Sequence, residues 1–185
     1  MKRRMRIIVV VAALAGLQLA ALLVYRVVEG SRSEEERAVR FAAERLRGAE
    51  AAPAFDAARV DGTAVRVSWP AARARIVHFW ATWCEPCRQE LPGLLALARE
   101  LEGRGVEMLA VAVDDEWDQV RDFFGGQPPP EVVIARDPSA HKRYGVSTLP
   151  DTYLIDRAGK LLERVHGARD WRSAAARDHL LTFVE

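Results

Sequence analysis

Cys84 and Cys87 are the only cysteines among 185 residues, and they stand three apart in Trp83-Cys84-Glu85-Pro86-Cys87. Two thiols at that spacing can cycle through a disulfide, supply half of a metal site, or close an inert staple. A structural zinc site needs about four ligands, and the other soft ligands, His78, His141, His166 and His179, show no paired spacing. An inert disulfide around so small a loop would constrain the unfolded chain little. Dithiol exchange is the chemistry this pattern fits best.

The elements around the pair set the division of labour. A β-rich run, Arg75 to Ala81, enters the motif, and from Pro86 to Leu101 the apolar residues Leu91, Leu94, Leu95, Ala98 and Leu101 recur at helical spacing. Pro86 suits the first turn, where its missing N–H is not needed. Cys84 is therefore expected at the helix start, against free backbone amides and the positive end of the dipole, which favour a thiolate. Cys87 lies one turn deeper. Cys84 is the expected attacker, exposed at the helix start, and Cys87 the more buried resolver.

Beyond the motif, strand and helix periods alternate. Ala64 to Trp69 after Asp61-Gly62 reads as the second arm of a hairpin, Val106 to Val113 as a buried strand, Glu116 to Phe124 as a helix and Glu131 to Ala135 as a strand. A short helix near Ser139 to Tyr144 precedes strands Asp151 to Ile155 and Lys160 to Val165, and Asp170 to Val184 closes as a helix. This order predicts an α/β domain, a mixed sheet covered by helices on both faces, over residues 53–185.

Two segments precede it. Ile7 to Tyr25 carries no charge and follows Lys2, Arg3, Arg4 and Arg6; as a helix it would be roughly 30 Å long, enough to span a bilayer. Residues 1–28 are thus expected to be a cytoplasmic tail and a single transmembrane anchor, with the rest outside the cytoplasm, where disulfides are permitted. A cleaved signal fits less well, because its one small-x-small triplet, Ala13-Leu14-Ala15, would leave only Ile7 to Ala12 as an apolar core. Residues 29–52, charged and alanine-rich, read as a spacer in which Val39, Phe41 and Leu46 are too sparse for a core. Taking the four N-terminal positive charges from a net +1 leaves −3 for residues 7–185, which gives no electrostatic reason to expect nucleic-acid binding.

"HFWATWCEPCRQELP" resembles the thioredoxin superfamily and, more narrowly, its membrane-anchored extracytoplasmic branch of the TlpA, ResA and DsbE (CcmG) type. Phe79, Trp80, Trp83, Cys84, Pro86, Cys87, Glu90 and Pro92 fall on the family pattern, and Pro150 in "GVSTLPDTYLID" matches its cis-proline facing the dithiol. A cis bond there would set Leu149's free backbone groups beside Cys84, where an extended substrate segment pairs as an added strand. Trp83, Pro86, Leu149 and Pro150 are accordingly the expected substrate-contacting residues. Six positions before the first cysteine, where thioredoxin has a buried aspartate and the anchored branch often asparagine, this chain has His78. It is a candidate to exchange a proton with Cys87 and equally a satisfied core histidine. Asp115 falls where ResA-like members carry an acidic residue near the dithiol, or is a helix-start carboxylate. Glu85 opposes the dipole beside Cys84, or is simply solvated.

The resemblance implies a membrane-anchored thiol–disulfide oxidoreductase whose only redox group is the cysteine pair, with no metal or other cofactor. It implies exported proteins with disulfides as substrates, apocytochrome c among them, and a membrane electron donor of the DsbD or CcdA type. A peroxiredoxin is disfavoured, because proline and threonine are needed where Val77 and Ala81 stand. A copper-handling or metallochaperone module is disfavoured by the cysteine spacing, and a non-catalytic adaptor remains the other alternative.

Overall fold

The computed structural model describes residues 14–29, 41, 43–46, 50–71 and 73–184. Its strands are β1 (Glu44–Arg45), β2 (Phe55–Ala58), β3 (Ala64–Val67), β4 (Ala74–Trp80), β5 (Val106–Ala112), β6 (Val132–Ala135), β7 (Asp151–Ile155) and β8 (Leu161–His166). Helix α1 covers residues 14–29, followed by α2 (Glu85–Glu102), α3 (Trp117–Phe124), α4 (Ala140–Arg143) and α5 (Ala174–Val184). The strands form one mixed sheet in the order β1-β8-β7-β4-β5-β6-β2-β3. The β4, β5 and β6 ladder is parallel, whereas β7 runs antiparallel to β4 and to β8.

Strand alternation sorts the core into two layers. Ile76 and Trp80 of β4 pack with Cys87, Leu91 and Leu94 of α2, Val120 of α3 and Leu180 of α5. Val77 and Phe79 point the other way, toward Tyr153, Tyr144, Ala140 of α4 and Phe55. β4 is central and the loop at its C-terminal end delivers Cys84, so the redox motif rests on the best-supported strand. Where β2 turns into β3, Gly62 has φ +82° and Asp61 Oδ1 accepts from the Thr63 amide at 2.8 Å, the left-handed step that glycine takes without penalty.

The structure departs from the sequence reading in three places. The closing helix begins at Ala174 rather than Asp170, because Asp170 turns back to accept from the Arg172 amide and Ser173 Oγ accepts from the Ala176 amide; these are turn and cap roles that hold a chain out of the helix. The last strand includes His166 and begins after Lys160. The spacer expected over 29–52 joins the domain at its C-terminal end. Phe41 and Ala52 are buried, β1 pairs with β8, and Ala51 bridges Lys160. Residues 30–40 lie outside the described residues, as do 7–13 of the expected anchor. Among the described residues no helix is long and apolar enough to cross a membrane.

Candidate active site

Cys84 is the N-cap of α2, with φ −88° and ψ 102°, and its sulfur accepts from the Cys87 amide at 3.3 Å. Pro86 occupies the first turn and the helix continues through Pro92. The two cysteines are joined as a disulfide, S–S 2.01 Å and Cα–Cα 5.3 Å. Cys84 is 6% exposed and Cys87 0%. The order of access is the expected one, although Cys84 is far less open than its helix-start position implied. What stands in solvent is Trp83, 62% exposed.

The Leu149–Pro150 bond is cis, as is Trp69–Pro70, for which the sequence held no signal. Pro150 is buried and Leu149 packs against both core layers, including the one that contains Cys84 and Cys87. Pro86 is exposed at the helix start. Trp83, Pro86, Leu149 and Pro150 therefore differ in access, and Trp83 offers the largest free apolar face.

Asp115 holds the loop before the dithiol. Both its oxygens are occupied by Thr82, whose amide donates to Oδ2 at 2.8 Å and whose hydroxyl donates to Oδ1 at 2.6 Å. Asp114 takes φ 56° immediately before it, a left-handed conformation that aspartate tolerates better than most residues. Asp115 thus braces the Cys84 loop. Glu85 is a surface residue, accepting from Gln89 Nε2 at 3.1 Å and lying 3.8 Å from Arg88.

His78 is fully buried on β4, facing α2 with Ile76 and Trp80 as strand alternation required. Its Nδ1 shares a hydrogen bond with Thr152 Oγ1 of β7 at 2.9 Å. Burial drives its pKa down to about 3, so the imidazole is neutral through the working range and does not itself titrate there. The group that does is Glu90, one turn beyond Cys87 on the same helix face. Burial raises its carboxyl to about 7, and donors from Arg169 and Trp171 hold it from rising further. The Arg169 amide donates to Glu90 Oε2 at 2.6 Å and Trp171 Nε1 to the same oxygen at 3.0 Å. Among the described residues Oε1 has no hydrogen-bond partner; it lies 3.7 Å from His78 Nε2, which has none either. Below pH 7 this is a neutral pair rather than an ion pair.

A cleft of about 320 Å³ lined by Pro86, Gln89, Gly93, Arg169 and Arg172 opens on Glu90. In sequence Glu90 is an acidic residue inside the buried stripe Cys87, Leu91, Leu94, a usable signal. Its donors at 169 and 171, far along the chain, left none. Among the described residues no group of three His, Cys, Asp or Glu side chains is arranged to hold a metal ion.

Comparison with known proteins agrees with this chemistry. Residues 49–164 match the AhpC/TSA family. The thiol:disulfide interchange protein HelX of Rhodobacter capsulatus is 34% identical over 97 residues, 51% of this chain and 53% of that protein. The thiol-disulfide oxidoreductase ResA of Bacillus thuringiensis is 30% identical over 127 residues, 67% of this chain and 72% of that one. A thiol:disulfide interchange protein of the thioredoxin family from Chlorobium tepidum superimposes with a TM-score of 0.62 at 26% identity, covering 76% of this chain and 99% of that structure. With a disulfide across the first turn of α2 and a thioredoxin-like sheet behind it, the chain belongs to the AhpC/TSA family and is a thiol–disulfide oxidoreductase of the TlpA, ResA and DsbE type.

Proposed function

We propose that this oxidoreductase is a membrane-anchored reductant of disulfides in exported proteins. The observation that carries the reading is the Cys84–Cys87 disulfide on the first turn of α2 with Glu90, a carboxyl titrating near neutrality, one turn below it. In the reduced protein the Cys84 thiolate attacks one sulfur of a substrate disulfide. A Cys84–substrate bond forms, the substrate S–S bond breaks, and the released substrate thiolate takes a proton. Cys87 then passes its proton to the Glu90 carboxylate and attacks Cys84 Sγ. The mixed disulfide breaks and the second substrate thiolate leaves, so two electrons have moved to the substrate and the chain holds the Cys84–Cys87 disulfide. A donor dithiol must return those electrons, and the family resemblance assigns this to a membrane carrier of the DsbD or CcdA type. Trp83 and Pro86 are the exposed surface on which the substrate segment lies, and the buried Pro150 holds the half-buried Leu149 beside them.

Anchoring in the cytoplasmic membrane, with the domain on the extracytoplasmic side, is supported by the uncharged run Ile7 to Tyr25 behind four basic residues and by α1, whose Leu17, Leu19, Leu22 and Leu23 are all exposed. A helix apolar on every side is stable in lipid and not in water. Glu85 supports the reducing direction only weakly: its charge beside Cys84 opposes the thiolate stabilisation on which strong oxidants depend, but it is solvated and lies 3.8 Å from Arg88.

The test is trapping in the native envelope with the full chain. Cys87→Ala should accumulate reductant-sensitive adducts through Cys84, while Cys84→Ala and the double variant accumulate few. Apocytochrome c among the adducts would identify that substrate class, and other exported proteins would redirect it. More trapping by Cys84→Ala than by Cys87→Ala would reverse attacker and resolver. Equilibration with glutathione should give a potential well below the roughly −120 mV of a strong oxidant; a value that high would end the reductant reading.

A further inference from the structure

Phe41 and Trp171 both lie outside residues 49–164, the part matched by the family, yet they meet beside the redox site. The Phe41 ring is 4% exposed and stands edge-on to the Trp171 ring at 4.8 Å, with the His179 ring stacked on it at 5.1 Å. Its carbonyl accepts from Arg169 Nε at 3.3 Å. One residue thus braces both segments that donate to Glu90 Oε2, the Trp171 indole and the Arg169 backbone. Of the other described stem residues, Glu44 and Arg45 pair with Arg164 and Glu163 of β8, and the Leu46 amide donates to the Leu162 carbonyl at 3.0 Å. On the other side of the loop, Gly93 of α2 permits close approach, since a Cβ there would stand 3.1 Å from Arg172 Cγ.

We propose that Phe41 is a positioning residue of the redox site: by packing on Trp171 and receiving Arg169, the stem that precedes the catalytic domain holds in place the two N–H donors of Glu90. The inference rests on the proposed role of Glu90 as acceptor of the Cys87 proton. The ionisable groups facing Glu90 are His78 from β4, Cys87 from its own helix, and Arg169, Asp170 and Arg172 from the loop before α5; β7 offers only the Thr152 hydroxyl, through His78. Donors to Oε2 favour the ionised carboxylate. Loosening them therefore moves the titration of Glu90 to higher pH and leaves less base available to the resolving thiol near neutrality.

The experiment uses the reduced full chain and an aromatic disulfide that releases one coloured thiolate per step, the first on attack by Cys84 and the second on resolution by Cys87. Trp171→Phe, which keeps the ring and removes the donor, should move the pH inflection of the second release upward by about one pH unit. Phe41→Ala should move it in the same direction by a smaller amount, Phe41→Leu by less again, and the first release should stay as in wild type. In a Glu90→Gln background Phe41→Ala should change neither step. An unmoved inflection in Phe41→Ala, with Trp171→Phe shifted, would overturn the proposal while leaving Glu90's role intact. Loss of folding in both Phe41 variants would also overturn it, making Phe41 a packing residue. If neither Trp171→Phe nor Glu90→Gln alters the second release, the proton-acceptor reading fails and this inference with it.

Discussion

Glu90 and Asp151 are both buried carboxylates close in sequence to redox-site residues, one three positions after Cys87 and the other directly after Pro150, yet they lie on opposite faces of the sheet and are solvated by protein in opposite ways. Asp151 is matched by charge. Arg164 Nε donates to both its oxygens at 3.0 Å and Nη2 to Oδ2 at 2.5 Å, with the Tyr153 hydroxyl at 3.3 Å. The pairing in turn raises the pKa of Arg164. Glu90 has neutral donors on one oxygen, none on the other, and a neutral imidazole across the gap. Asp151 is paired with a guanidinium, whereas Glu90, given only N–H dipoles, is left able to take up and release a proton. It is the second that sits under the dithiol.

The largest expected effect comes from breaking the charged site. Asp151→Asn leaves Arg164 without its counter-charge and should cost about 3 kcal/mol, toward the low end for a broken buried pair because the guanidinium is partly solvated. Urea unfolding measures it, and the pH inflection of the resolving step should stay where it is. If that inflection moves, the two carboxylates are not independent.

Glu90→Gln is next and has the opposite sign on the alkaline side. The folded-state pKa of Glu90, about 7, lies above its ordinary value of 4.5, so the protonated form's contribution to stability is complete below pH 4.5 and is lost as pH rises through 7. Glutamine cannot ionise and escapes that loss. Between pH 5 and pH 8 the variant should gain on wild type by on the order of 2 kcal/mol, once solvation by the cleft is allowed for. Parallel urea curves at the two pH values, equally spaced for both proteins, would count against a raised Glu90. His78 acts at the other end of the scale: its pKa is depressed, so its contribution is present above pH 6.5 and is lost as pH falls toward 3.

Smaller effects sharpen the picture. Gly93→Ala presses on the Arg172 side chain and should shift the resolving-step inflection by a few tenths of a pH unit with a stability change under about 1 kcal/mol; no shift would mean that the loop before α5 yields without disturbing Glu90's donors. Glu85→Gln, a change in solvent beside Arg88 and Gln89, should alter the reduction potential by less than about 15 mV, measured against glutathione. A larger change would restore Glu85 to the tuning role that its position beside Cys84 first implied.

Most of the scaffold was legible because its signals are local. The apolar stripe of α2, Pro86 in its first turn and the alternation of β4 are written within a few residues, and they were enough to place Cys84 above Cys87 and His78 on the strand face of Ile76 and Trp80. The unread parts depend on contacts made across the fold. Phe41 is a lone aromatic in a charged stretch, and β1 is two residues long with no period; Phe41 acquires its partners from α5 and the loop before it, and β1 from β8. His78 was legible in direction but not in chemistry, since the burial that lowers its pKa is set by the whole layer between β4 and α2. Glu90 carried a signal in its place on the apolar stripe, but Arg169 and Trp171, which tune it, reach it only through the fold.

Resolution of the mixed disulfide turns on which group takes the proton of Cys87. The decisive measurement is the rate of the resolving step as a function of pH in wild type and Glu90→Gln, with the initial attack by Cys84 recorded in the same traces as a control. The predicted result is a wild-type rate that rises through an inflection near pH 7, and in Glu90→Gln the loss of that inflection with resolution about 10²-fold slower while the attack is unchanged. The same inflection and the same rate in both proteins would contradict it.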